Sequence, residues 1–523
     1  MALKAETLKP EVYQALEDIV GPDYISQEPA ILDGYCFVWG NELLHDGDKF
    51  GSRPLAVVLP ASTEEIQAIV RLCNRYRVKF KALSTGFSSG AFGAEPALSI
   101  DLRRMNRILE IDEKNAYAVV EPYVSFTELT YEAIKKGVRP YNIGAGSSCS
   151  VLANATSMYG DGSTNVSAGY GGRNVLGIEW VLPDGEVLRV GTLGTGSGWF
   201  SGDGPGPSLL GVARGYTGAH GSLGVFTKAA IKLVPWYGPS TMDASGDAPV
   251  YIPKLPECFR AYTIAFPTRE SLYEAMRLTA EEDLQYAGSR RGPYTMARGM
   301  AKSNTELEEI WATGYYQKRY ANCLGFIMDA SSPKEMEYKE KCLRKVIEQY
   351  GGEIITEDER AQSTRFVHAL IGANAVKSTF STGCFNSAPN AQESLDAMMR
   401  AHELGLELKE EYAKKGVVLD DGDPSWVAVF EPSAHMETVW RYDPADPDSV
   451  KGATELAMRA SELLLQHNLE DHSYMLFKGL GKPKHVDVAG PKCLNYHIWI
   501  GKIKKAFDPN LVGEPSCYAT AKD

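Results

Sequence analysis

The chain has nine cysteines but no C-x-x-C pair, and no run of eighteen or more apolar residues. The first absence removes a zinc ribbon or thioredoxin-type redox pair, and an odd, scattered count does not form a disulfide framework. The second removes a membrane-spanning helix. Basic residues are also short: 54 Lys and Arg stand against 67 Asp and Glu, a formal net charge of −13. Nonspecific nucleic-acid binding and attachment to an anionic membrane surface both need clustered positive charge, so small molecules or proteins are the expected partners. The opening "MALKAETLKPEVYQALEDIVG" spaces single apolar residues at helical intervals and lacks the continuous apolar core of a signal peptide. The reading is a cytoplasmic, reduced protein.

What is present is enough chain for two domains, since 523 residues exceed the size at which one hydrophobic core stops growing. "PLAVVLP" reads as a strand and "STEEIQAIVRLCNRYRV" as a helix with Ser62 as N-cap and Glu65 three residues on; "KFKALS" reads as a second strand. Asp184-Gly185 in "IEWVLPDGEVLRV" is a hairpin signal. From about residue 240, long helical stretches such as "PKEMEYKEKCLRKVIEQYGG" and "AQESLDAMMRAHELGLELKEEYAKKG" alternate with strand-like "LGFIMDA" and "SWVAVFEP". The segment "GPKCLNYHIWIGKIKKAFDPN" is amphipathic and stops at Asp508-Pro509. These patterns divide the chain into 1–240, with a core from about 50, then 241–469 and a final segment 470–523.

Between two strands lies "ALSTGFSSGAFG", a loop almost without large side chains. It lacks the G-x-G-x-x-G of a dinucleotide fold and the G-x-x-x-x-G-K-[ST] of a triphosphate loop. Glycine at this density opens positive φ and lets backbone N–H groups converge, a nest suited to a pyrophosphate bound without many cations. The alternative is a plain Gly/Ser surface loop.

In its wider setting, "RPLAVVLPASTEEIQAIVRLCNRYRVKFKALSTGFSSGAFG…ALSIDLRRMNRILEIDEKNAYAVVEPYVSFTEL" resembles the FAD domain of the vanillyl-alcohol oxidase and 4-cresol dehydrogenase superfamily. "VLGIEWVLPDGEVLRVG", "GYTGAHGSLGVFTKAAIKLVP" and "KKAFDPN" are similar to later segments of the same family, and glycolate-oxidase-type FAD subunits are resembled too. The resemblance implies an α+β fold: a two-subdomain FAD-binding domain of the p-cresol methylhydroxylase (PCMH) type with an α/β substrate cap, the last segment returning to the FAD domain. It implies FAD as cofactor. Ser84, Thr85, Gly86, Phe87, Ser88 and Ser89 would meet the pyrophosphate and Pro60 the adenine. Gly162 and Gly169 would let backbone pass the flavin, Gly221, Gly224 and Val225 would flank the ring system, and Asn495 would contact the cofactor. Phe87, Phe380 and Phe385 stand where relatives hold tethering side chains, so the FAD is expected to be non-covalent, with Cys149 and Cys384 as the remaining thioether candidates.

For the chemistry, the resemblance implies hydride transfer from an alcohol, hydroxy acid or phenolic substrate to flavin N5. Tyr474, followed by Met475 in place of a phenolate-binding arginine, Tyr170, His472 and His497 are the catalytic candidates. His472 and Tyr474 would share one face of a strand, as would Asn495 and His497 if "CLNYHIW" is extended. "LFKGLGKPKH" loses the metal-binding histidine of hydroxy-acid members, so no metal is expected. The electron acceptor would be oxygen or a redox partner protein, and a homo-oligomer is compatible with the size. Two other readings stay open: a flavoprotein with no net oxidation, like alkyl-glycerone-phosphate synthase, and an electron-transferring flavin subunit of a complex.

Overall fold

The structure, a computed structural model, describes residues 7–36, 43, 51–86, 96–142, 146, 148–157, 164–199, 208–213, 222–246, 252–301, 303–355, 359–371, 384–429, 433–469 and 490–513. Its architecture is mixed helix and strand. Four short strands form the first sheet, in the order Ile25–Ser26, Ala56–Val58, Leu98–Asp101, Phe80–Leu83. The last three run parallel. Strands Ala56–Val58 and Leu98–Asp101 are buried along their whole length, as parallel strands covered on both faces must be. Helix Thr63–Tyr76 covers one face with Ile66, Ile69, Val70 and Cys73, and the Ser62 hydroxyl accepts the Glu65 N–H at its start.

The second sheet is antiparallel, in the order Ile108–Asp112, Tyr117–Val120, Val225–Lys232, Val175–Val181, Val187–Val190. Its last pair is a hairpin: the Leu182 N–H donates to the Glu186 carbonyl at 2.8 Å and Gly185 takes φ +87°. Glu179, almost wholly buried, ties this sheet to helix Thr63–Tyr76 by accepting from Thr63 Oγ1 at 2.8 Å, and pairs with Lys228 of the neighbouring strand at 2.6 Å.

Seven strands build the third sheet, in the order Glu353–Ile355, Phe259–Ala265, Cys323–Asp329, Ala287–Arg291, Trp426–Val429, Ala434–Tyr442, Cys384–Glu393. Alternation along the strands gives it two unlike faces. Ala434, Met436, Trp440 and Tyr442 pack into cores shared with helices Leu395–Lys414 and Pro447–His467. On the opposite face, Ala261, Ala287 and Ile327 pack with Phe366 and with Ile134 and Trp236 from the first half of the chain. That second face is turned toward the first two sheets.

Two sequence expectations are corrected. "NYH" is not extended: helix Tyr496–Phe507 begins there, and Asn495 precedes it at φ +61°, so Asn495 and His497 do not alternate along a strand. The spacing of Ile500, Gly501 and Lys504 buries one helical face, and that tertiary burial overrides the β-branched and aromatic composition of the stretch. "AQESLDAMM" likewise does not start as a helix, because Cys384–Glu393 is a strand and Ser394 caps the helix that begins at Leu395.

The C-terminal helix is anchored by a buried charge. Lys504 Nζ donates to the Ser222 carbonyl, to the Gly513 carbonyl at 2.9 Å and to Asp508 Oδ2 at 2.7 Å. Asp508 in turn accepts the Val512 and Gly513 N–H groups at 3.0 and 2.8 Å. Lys504→Met strands the Asp508 carboxylate in the interior, and such broken buried pairs cost about 3–5 kcal/mol. A urea melt of the variant is expected to show a loss of that size; an unchanged midpoint would refute the anchoring role.

Candidate cofactor site

The glycine-rich loop leaves the C-terminal end of strand Phe80–Leu83, where ligands of parallel sheets bind. Gly86 sits at φ +71°, in the left-handed region. The Thr85 hydroxyl accepts the Ser150 N–H at 3.0 Å, which fixes the root of the loop against the helix Val151–Ser157. Phe87, Ser88 and Ser89 lie outside the described residues, as do Gly162, Gly221, Phe380, His472 and Tyr474. Pro60 is buried just beyond strand Ala56–Val58. Beside it Arg104 donates to the Leu59 carbonyl at 2.7 Å while its guanidinium lies 3.5 Å from the centre of the Tyr24 ring.

A second wall comes from the turn leading into strand Val225–Lys232. Gly224 adopts φ +104°, and a Cβ there would meet the Val181 carbonyl oxygen at 2.2 Å. Next to it the indole of Trp180 donates to the Leu223 carbonyl at 2.8 Å and stacks on Phe507 at 5.3 Å. The same turn touches the loop-bearing strand through the C-terminal segment. Gly513 bridges to Phe80, and a Cβ on Gly513 would lie 2.4 Å from the Ser222 carbonyl. Ser222 is wholly buried, yet its hydroxyl has no hydrogen-bond partner among the described residues. An orphaned hydroxyl beside a glycine-lined turn, facing a strand that ends in bare backbone, suits a polar group arriving from outside the chain.

Gly169 and Tyr170 stand at the seam with the seven-stranded sheet. Gly169 takes φ +76°. Asn174 Nδ2 donates to the Gly169 and Tyr170 carbonyls at 3.2 and 3.0 Å, and Arg173 lies 5.1 Å over the Tyr170 ring. No described side chain hydrogen-bonds the part-exposed Tyr170 hydroxyl. Two residues earlier in the chain order of that segment, Ser167 Oγ donates to the Tyr286 carbonyl at 2.8 Å and accepts from Arg139 at 2.9 Å, stitching the halves of the molecule together. His497 is on the inward face of the C-terminal helix, one turn before Ile500 and Gly501; its Nδ1 is buried against Gly490, without a partner among the described residues. Cys149 is buried, and burial pushes its thiol up to about 12, so it stays protonated and is a poor nucleophile.

The sequence reading missed the sheet's own polar residues. Register puts Thr263, Gly325, Ser289 and Arg291 on the face that meets Ile134 and Trp236. Arg365, from helix Glu359–Ile371, donates to Thr263 Oγ1 and lies near Arg291 across Gly325. Burial first, then the neighbouring Arg365, pushes Arg291 down to about 10, though Arg291 keeps some accessible surface. The opposite face holds a different cluster. The Tyr273 hydroxyl donates to His402 Nδ1 at 2.5 Å, His402 Nε2 faces both Asp423 oxygens at 3.1 Å, and Arg290 grips Asp423. It looks like a catalytic relay, but every member is packed under the helices away from the seam.

A scan of protein families matches residues 54–191 to "FAD binding domain". Residues 54–191 are an FAD-binding domain. Its cofactor is FAD, and the bare loop, the positive-φ glycines and the orphaned Ser222 hydroxyl all fall within or beside it. Among curated proteins, the glycolate oxidase subunit GlcD of Bacillus subtilis (strain 168) is 30% identical over 189 residues, 36% of this chain and 38% of the relative. The 4-cresol dehydrogenase [hydroxylating] flavoprotein subunit of Pseudomonas putida is 28% identical over 233 residues, 42% of each chain. The alignments thus span well under half the length of these relatives. Over the whole chain the fold is that of p-cresol methylhydroxylase, with a TM-score of 0.75 at 17% identity, covering 98% of this chain and 97% of that one. The FAD-binding domain therefore sits in a PCMH-type fold, and the seven-stranded sheet faces it.

Gly224→Ala tests whether the turn before strand Val225–Lys232 borders the cofactor. The added Cβ has no room beside the Val181 carbonyl, and the left-handed backbone alone costs about 1–3 kcal/mol. The expected outcome is a purified protein with little bound FAD, read from its visible absorbance relative to protein; full flavin content would place the turn away from the cofactor.

His402 gives a pH dependence. Burial holds its pKa below the ordinary histidine value, and the Arg290 cation beside Asp423 helps to keep that carboxylate well below its own. A depressed pKa contributes stability above the unfolded-state value and loses it as pH falls toward the folded value. The melting temperature is therefore expected to drop as pH is lowered below about 6.5, and Tyr273→Phe with His402→Gln together should flatten that slope.

Proposed function

We propose that the protein is an FAD-dependent oxidoreductase that takes a hydride from an alcohol, hydroxy acid or phenolic substrate and passes the electrons to oxygen or a redox partner protein. The observation that carries this reading is the FAD-binding domain at residues 54–191 within a chain that has the PCMH-type fold almost end to end. In this reading residues 1–240 and 470–523 hold the cofactor and residues 241–469 form the substrate cap. When bound, FAD supplies a two-electron acceptor at N5.

The chain's own residues then have separate tasks. Ser84 to Ser89 hold the pyrophosphate, and Gly169, Gly224 and Val225 line the ring system. Tyr170, whose hydroxyl is not engaged by any described side chain, and Tyr474 with His472 are the groups to orient the donor oxygen or remove its proton. The Arg291 and Arg365 guanidinium groups on the sheet face opposite suit an anionic substrate, since a paired fork binds carboxylate well. That favours a 2-hydroxy acid within the class. Names among the relatives support it: glycolate oxidase and a D-lactate dehydrogenase 29% identical over 188 residues act on 2-hydroxy acids by their names. Protonated Cys149 supports FAD held without a covalent bond.

A second reading, FAD chemistry with no net oxidation, is favoured by a fold match to alkyldihydroxyacetonephosphate synthase at a TM-score of 0.66 and 15% identity. One experiment separates the two. The yellow protein, mixed anaerobically with a panel of 2-hydroxy acids, benzylic alcohols and phenols, is expected to bleach with a hydroxy acid. A protein full of FAD that no panel member reduces overturns the oxidoreductase reading. With the donor found, Tyr170→Phe and Tyr474→Phe are expected to slow bleaching about 10- to 1,000-fold at unchanged flavin content. Acid precipitation is expected to leave the flavin in the supernatant.

A further inference from the structure

Helix Pro293–Met300 and strand Ala434–Tyr442 meet through two arginines that the preceding sections have not used. Arg298 is 8% exposed and Arg441 2%. Both are nearly sealed from water, yet Arg298 Nε, Arg298 Nη1 and Arg441 Nε have no hydrogen-bond partner among the described residues. Tyr294, one helical turn before Arg298, carries the Arg441 guanidinium 4.8 Å from its ring centre. Asp421 is the only carboxylate with an electrostatic influence on Arg298 among the described residues. It is already engaged, since it ion-pairs with both Lys409 and Arg441, all three being buried.

Buried guanidinium N–H groups without acceptors are expensive. Three cations, Arg298, Arg441 and Lys409, surround one carboxylate, so the cluster carries an excess of two positive charges among the described residues. Burial first, then Arg441, pushes the Arg298 guanidinium down to about 9, so it remains charged at neutral pH. Such an interior cation favours a neutralising acceptor, and the unused donors state its chemistry: small, negative, and able to accept from Arg298 and Arg441 at once, a monovalent ion being the one least costly to bury.

We propose that Arg298 and Arg441, walled by Tyr294 and Asp421, bind a small monovalent anion, either a halide or a short carboxylate, that ties helix Pro293–Met300 to strand Ala434–Tyr442. The proposal does not rest on the oxidoreductase reading, since the buried donors of Arg298 and Arg441 alone carry it.

The flavin-loaded protein is melted at constant ionic strength in sodium gluconate, whose anion is too bulky to enter, and then with chloride, bromide, formate or acetate substituted. The expected result is an upward shift of about 2–4 °C with at least one small anion. Halides acting alone identify an inorganic ion; formate and acetate acting alone identify a carboxylate. Arg298→Met is expected to abolish the shift and, having lost an unpaired charge, to melt above the unsubstituted protein in gluconate. Identical melting in every anion, or a shift that survives Arg298→Met, overturns the proposal. Should that variant not fold, crystals of the unsubstituted protein grown in bromide decide: an anomalous peak within hydrogen-bond distance of Arg298 Nε is expected, and its absence, together with an absence of formate or acetate density there in crystals grown with those anions, refutes the site.

Discussion

One buried ammonium group holds the cofactor end of the molecule together. Lys504 reaches from the last helix to the Ser222 carbonyl, two residues before the strained Gly224, and its partner Asp508 fixes the backbone of Val512 and Gly513. From there the Val512 carbonyl accepts the Phe80 N–H at 2.8 Å, at the start of the strand that ends in the glycine-rich loop. Two segments far apart in sequence, the turn before Val225 and the strand that leads into the glycine-rich loop, are thus joined through a single charge pair. Burying that pair is costly unless every lone pair and proton is used. Here three acceptors surround the ammonium and two backbone donors, with it, meet the carboxylate, so the cost is met by geometry rather than by solvent.

The seven-stranded sheet divides its charges by the same logic. Under its helices, Asp423 is satisfied by Arg290 and by His402, which Tyr273 holds in the tautomer that donates toward the carboxylate. Both Asp423 oxygens and both His402 ring nitrogens are engaged, and Asp423 also accepts the Ser425 N–H at 3.1 Å, so the cluster orders the turn that carries it. Toward the FAD-binding domain the sheet instead shows Arg291 and Arg365 near each other across a glycine. Like charges held side by side are poor packing and good recognition.

The legible parts of the sequence were local. Ser62 capping, the Asp-Gly hairpin and the left-handed Gly86 after a strand each follow from a few neighbouring residues whose backbone preferences agree with the final structure. Family resemblance added FAD, which no residue spacing alone decided. What stayed hidden depends on contacts between distant residues. "NYHIWIGKIKKAF" has the composition of a strand, and only its burial against Trp180 and Ser222 makes it a helix. His402 and Asp423 are 21 residues apart and Tyr273 and His402 129 apart, so nothing in either neighbourhood announces the cluster. Arg298 reads as an ordinary helical arginine until its donors are found buried.

The order in which the chain is made bears on when it can hold its cofactor. Lys504 and Ser222 are separated by 282 residues, and Phe80 waits for an edge partner at residue 512. During synthesis the two nucleotide-side sheets emerge early, but their shared wall is missing until the ribosome has delivered almost everything described here, the whole seven-stranded sheet included. A nascent protein folds its units as they appear, so the intervening sheet is made before the site that flanks it is closed. The contacts of Lys504 and Val512 are therefore the last of this wall to form, after the seven-stranded sheet that precedes them in the chain.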